Sequence, residues 1–236
     1  MNSLYRKTII SIVIVYLVIL AGGIVRMTGS GMGCPDWPKC FGFLIPPTER
    51  SQLEWKSNSE YNKNQIVIID ETLFYANDKF KSKNKFEMSN WSEYTKHDYS
   101  KFNVYHTWIE YINRLIGAIA GLSVLILFVN SLKFLKTKKI ITGLSFLALI
   151  AIIFQAWLGK MVVDSNLMAN TITVHMLMAI VLLFILFSIL AISNPNKKRV
   201  RMSRNISILV LTSIVLLLIQ IITGTEVRKF IDIKME

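Results

Sequence analysis

Three sets of residues in this chain have types and spacings that can do chemistry. His106, Glu110, Asn113 and Arg114 recur at helical intervals, with Gly117 on the same stripe. The stripe offers a carboxylate for proton transfer or orientation, a guanidinium that pairs with another carboxylate, and an imidazole that takes a proton or a metal. His175 is the single ionisable residue in the apolar run 171–192. Cys34 and Cys40, the chain's two cysteines, stand six apart in a loop that follows Arg26. Each set has a plainer alternative. Glu110 and Arg114 can be a salt bridge at a membrane boundary, His106 a boundary residue, His175 an interior hydrogen-bonded residue, and the cysteines a staple.

The elements that must position these residues are membrane helices. Hydrophobic residues make up 53% of the chain and mean hydropathy is +0.45, above the soluble norm. Five runs approach the ~20 residues that a bilayer requires: 8–25, 115–132 (starting near Tyr105 once the polar stripe is included), 140–159, 171–192 and 205–225. The first is longer than a signal-peptide core and no Ala-x-Ala follows it, so it reads as a helix. Charged groups in such helices are costly unless paired, and their default reading is a functional site. The aromatic residues Trp108, Tyr111 and Trp157 fit an interfacial belt.

Charge gives the orientation. Of the net +12, Arg6, Lys7, Lys133, Lys136, Lys138, Lys139, Lys197, Lys198, Arg199, Arg201 and Arg204 fall in segments that share one side. That side is predicted to be cytoplasmic, with the N-terminus there and the protein multi-pass in the inner (cytoplasmic) membrane. Basic loops of this kind set topology and do not call for nucleic acid. Residues 27–105 carry ten basic and ten acidic groups and are neutral. Glu110 and His175 both fall about one turn inside the outer boundary, which predicts that they face each other.

Outside the cytoplasm, Cys34 and Cys40 most simply form a disulfide. A redox-active pair is the functional alternative, and no histidine lies close enough to suggest zinc. Residues 43–104 are long for a loop without structure of its own. They read as a small outer cap or an insertion, with Ile66-Val67-Ile68-Ile69 a short strand or buried turn and His97 solvated. The chain thus divides into helix one (1–26), an extracytoplasmic loop or cap (27–104), helices two to four (105–193), and a basic loop with helix five (194–236).

Helices one and five share a pattern: Gly22-x-x-Val25-Arg26 against Gly224-x-x-Val227-Arg228. Gln155 and Gly159 on helix three likewise match Gln220 and Gly224. This predicts an all-α integral membrane fold: a four-helix bundle followed by the first helix of a second, pseudo-repeated bundle. On this pattern the sequence is expected to be truncated. A neutral imidazole within such a bundle is a good ligand for heme iron.

The chain resembles the heme A synthase family, which assists cytochrome oxidase assembly. The residues that carry the resemblance begin with Gly23-Ile24-Val25-Arg26-x-Thr28-Gly29-Ser30-Gly31-x-Gly33-Cys34-Pro35-Asp36-Trp37-Pro38-x-Cys40-x-Gly42. They continue with Ile109-Glu110-x-x-x-Arg114, Gln155-x-x-Leu158-Gly159 and His175. The resemblance implies eight helices in two pseudo-repeated bundles, of which this chain matches the first bundle plus one helix. It implies oxidation of the C8 methyl of heme O to a formyl group, with heme O as substrate, heme b and iron as cofactor, and the cysteines as a disulfide. It places the family's essential glutamate on Glu110 and its first-bundle histidines on Asn113 and His175. Asparagine is a poor iron ligand, and His106, two turns outward on the same face, can substitute. Arg26 and Arg114 are then expected to bind heme propionates. A heme O synthase, a membrane electron acceptor and a second copy of the chain are the expected partners.

Three other classes compete. A membrane heme electron carrier would bind heme without converting it. A thiol–disulfide oxidoreductase would want a closer Cys-x-x-Cys and a relay pair. A non-catalytic assembly protein is the third.

Overall fold

The computed structural model describes residues 1–95, 102–195 and 203–235. His97 and the basic residues Lys197, Lys198, Arg199 and Arg201 lie outside them, as does the side chain of Arg228. The chain forms two compact units, one of residues 1–19 and 116–236, the other of residues 20–115.

Five helices are long and apolar enough to cross a membrane: α1 (Asn2–Met27), α2 (Val104–Ser131), α3 (Lys139–Asp164), α4 (Ala169–Ser193) and α5 (Arg204–Met235). In lipid, helix formation is dictated less by propensity than by the need to satisfy every backbone N–H and C=O within the segment. This is why runs rich in Ile and Val, poor helix formers in water, are helical here. The five spans expected from hydropathy are all present, and the protein is a multi-pass membrane protein.

In the unit of residues 1–19 and 116–236, four helices contribute to one apolar core. Leu4, Ile12 and Val15 of α1 join Ala120, Val124 and Leu127 of α2, Ile141, Ala148 and Ala151 of α3, and Leu182, Leu186 and Ile189 of α4. The alanines let backbones approach, the usual means of helix packing where lipid is as apolar as the side chains. Thr142 Oγ1 donates to the Ser131 carbonyl (2.8 Å), tying the end of α2 to the start of α3. Helix α5 packs along α4, where Thr225 and Thr173 share a hydroxyl hydrogen bond of 2.7 Å. Thr225 is the one buried residue among those described on α5.

The unit of residues 20–115 holds the end of α1, the cysteine loop, a folded cap and the start of α2. The cap contains β1 (Glu60–Tyr61), β2 (Ile66–Ile69), β3 (Thr72–Ala76), β4 (Phe80–Lys81) and β5 (Trp91–Glu93). Strands β2, β3 and β5 form an antiparallel sheet in that order, and β1 pairs with β4. The segment 66–69 left open between strand and turn is a strand. Its unbroken apolar run follows from burial on both faces. Ile66 and Ile68 pack with Leu73 against the cysteine loop and Leu53, whereas Val67 packs with Phe74, Tyr61 and Trp91. The cap is therefore an ordered addition to the all-α spans.

Candidate functional site

Helix α2 opens with Asn103, whose Oδ1 accepts the backbone N–H of Tyr105 at 2.9 Å, an N-cap that fixes where the helix starts. The next turns carry His106, Glu110 and Arg114 on one side, as their spacing requires. The cysteine loop closes against that side. Cys34 and Cys40 form a disulfide, and both are fully buried.

Glu110 is 4% exposed. Its Oε2 accepts the backbone N–H of Cys34 (2.8 Å), and its Oε1 pairs with Arg114. Arg114 also donates to the carbonyls of Asp36 (2.7 Å), Lys39 (3.0 Å) and Cys34 (3.2 Å). All three carbonyls belong to the loop that the disulfide closes. A guanidinium suits this task because its donors are fixed in a plane and several acceptors can be met at once. With both terminal nitrogens engaged, Arg114 has only its Nε–H left for an outside anion. Arg114 is thus engaged chiefly in holding the loop, and its role toward a propionate stays a proposal. Arg26, also expected to bind a propionate, is half-buried in the last turn of α1.

The loop also touches α2 backbone to backbone. Thr107 Oγ1 donates to the Gly33 carbonyl at 2.8 Å. A Cβ placed on Gly33 would collide with the carbonyl group of His106 and the nitrogen of Thr107. Asp36 Oδ2 accepts the Gly42 N–H at 2.8 Å. Burial pushes the Asp36 carboxyl above the usual carboxylate range, opposed by that hydrogen bond and by the charge of Arg114.

His106 is half-buried, and its Nδ1 lies 2.9 Å from Ser30 Oγ. Ser30 Oγ is 2.6 Å from Thr28 Oγ1, which donates to the Ile24 carbonyl at 2.8 Å. In the sequence, Ser30 and Thr28 stand out only as parts of the stretch Gly23 to Gly42, with no chemical signal of their own. Asn113 sits against α1, where a Cβ at Gly22 would lie 3.9 Å from its Oδ1. That oxygen is buried and has no hydrogen-bond partner.

His175 belongs to the other unit, so its expected opposition to Glu110 stays an expectation. It is half-buried on α4, and its Nδ1 is buried without a partner. Gln155 on α3 donates through Nε2 to the His175 carbonyl at 2.9 Å, while its own Oε1 is buried and unpartnered. Gly159, one turn along α3, faces the ring, with 3.5 Å between an added Cβ and His175 Cε1. A buried polar atom without a partner costs about 1–3 kcal/mol. Two such atoms on facing helices, one of them in the imidazole itself, suit a site completed by something other than protein. The imidazole suits a heme, whose iron commonly takes a histidine ligand. Among the described residues no group of three or more His, Cys, Asp or Glu gathers as a bare metal ion would need.

A sequence profile described as cytochrome oxidase assembly protein matches residues 5–90 and 76–235. The chain is 28% identical over 219 residues to a heme A synthase of Shewanella oneidensis, covering 91% of this chain and 54% of that protein. It is 27% identical over 229 residues to a heme A synthase of Wolbachia pipientis, covering 91% and 56%. A heme A synthase of Flavobacterium johnsoniae is 30% identical over 176 residues, covering 73% and 43%. The chain thus spans about half the length of the relatives it matches. No solved structure matches it significantly. With matches that together reach from residue 5 to residue 235, the chain belongs to the cytochrome oxidase assembly protein family.

Proposed function

We propose that the chain serves heme A biosynthesis, as an oxidoreductase of the heme A synthase type. The substrate is heme O, whose C8 methyl is converted by successive hydroxylations to the formyl group. The likeness to heme A synthases over nine-tenths of the chain carries this reading. The buried, unpartnered nitrogen of His175 beside Gln155 supports it from the structure. A bound heme supplies the redox chemistry. The chain's own residues bind, orient and exclude water.

His175 and His106 are each proposed as heme-iron ligands. Asn113 is proposed to contact heme from the position where the family pattern has histidine, and Arg26 to pair with a propionate. Glu110 is the residue on which conversion depends. Because both its oxygens are held, its role is to orient, through the loop and Arg114, more than to carry a proton. The basic ends at Arg6, Lys7 and Lys133 to Lys139 support a cytoplasmic N-terminus in the inner membrane. The cap then faces outward, where a disulfide persists. A heme O synthase and a membrane electron acceptor are the partners this chemistry requires.

Co-expression with a heme O source, followed by heme extraction, tests the proposal. Heme A forms with the native chain and is lost in Glu110→Gln. Unchanged heme A in that variant rules out the role given to Glu110. Stable bound heme with no conversion by the native chain would instead favour a membrane electron carrier or a non-catalytic assembly protein.

A further inference from the structure

The proton positions around His106 follow from its neighbours. Thr28 Oγ1 lies 2.8 Å from the Ile24 carbonyl oxygen. Two oxygens at that distance repel unless a proton lies between them, and a carbonyl brings none. The single hydroxyl proton of Thr28 is therefore committed to Ile24. The 2.6 Å contact between Thr28 and Ser30 must then use the proton of Ser30. Ser30 has none left for the imidazole, so the 2.9 Å contact to His106 uses a proton on Nδ1. Among the described residues nothing bonds Nε2 of His106.

We infer that Thr28 and Ser30 are positioning residues that hold His106 as the Nδ1–H tautomer, so that Nε2 presents its lone pair to heme iron. This rests on the proposed heme-binding role of His106 and adds how the ligand nitrogen is selected. A ring nitrogen that donates to an oxygen orients the imidazole and raises the basicity of the other nitrogen, the arrangement of metal-binding histidines generally. Here the oxygen is a hydroxyl whose direction is set by the end of α1. Ser30 is fully buried, so water does not compete for the bond.

The test uses the full chain in detergent with only its histidines labelled with nitrogen-15; there are three. Without heme, the His106 signal, identified by its loss in His106→Gln, shows the proton on Nδ1. Thr28→Val frees the Ser30 proton to point at the ring and shifts His106 toward the Nε2–H form, although Thr28 does not touch the imidazole. Ser30→Ala does the same and lowers affinity for added ferric protoheme by about 10–100-fold, the usual effect of losing such a partner. A native Nε2–H signal, or a tautomer unmoved by Thr28→Val, overturns the inference. A protoheme spectrum unchanged in His106→Ala overturns the ligand role on which it rests. The heme-free tautomer measurement reads the hydroxyl chain separately from that outcome.

Discussion

Two polar sites in this molecule satisfy their atoms in opposite ways. At Glu110 and Arg114, both carboxylate oxygens and both terminal guanidinium nitrogens are bonded, nearly all to the cysteine loop. At His175 and Gln155, each side chain leaves a buried atom without a partner. Asn113 belongs with the second kind, although it shares a helix face with the first. On the proposed reading, the closed set holds the fold and the open one takes the ligand. A closed set of bonds is self-sufficient, whereas an open one costs free energy until something fills it.

The largest effect that would break this contrast is expected from Arg114→Ala. It removes the donors of three loop carbonyls and leaves a buried carboxylate without its counter-charge. Loss of one partner of a buried ion pair costs about 3–5 kcal/mol. Thermal unfolding in detergent should show the loss, and Arg114→Lys should recover little of it, because an ammonium cannot span the same acceptors.

His175→Leu should do the reverse. Unfolding should move by no more than about 1 kcal/mol, or improve, because the exchange removes an unpartnered nitrogen. Heme retained through purification should fall sharply. A destabilisation as large as that of Arg114→Ala would abolish the distinction between the two sites.

The smallest effect concerns Asp36. Its carboxyl is raised by burial, so the folded chain binds that proton more tightly than the unfolded chain does. Its contribution to stability is complete below the ordinary carboxyl range and fades as pH rises through the raised native value. Asp36→Asn should flatten this part of the pH–stability curve. A slope unchanged in that variant would assign it to another group.

The spans were legible because a bilayer demands about 20 apolar residues, a length that composition reveals directly. The shared face of His106, Glu110 and Arg114 was legible because helical spacing is fixed. The partners of Arg114 were not, since backbone carbonyls carry no letter in the sequence. The hairpin β2–β3 was hidden for a different reason. Its two turn residues, Asp70 and Glu71, both adopt positive φ (46° and 63°), as the tight turns that match strand twist require. Such turns are normally announced by Asn-Gly or Asp-Gly, and a glutamate in that position gives no signal. The hydroxyls of Ser30 and Thr28 were equally silent, because their importance lies in proton direction and not in residue type.

Gly33 sets the gauge between loop and helix. There a hydrogen atom stands where every other residue carries carbon, and main chain meets main chain at His106. The bonds from Thr107 to Gly33, from Cys34 to Glu110 and from Arg114 to Cys34 all begin at that contact or one residue beyond it. One added methyl would lift the loop as a rigid lid is lifted by a grain under its hinge, opening every one of these bonds together. The adhesion of the cysteine loop is thus cooperative, and its tolerance is set by the smallest side chain in the unit.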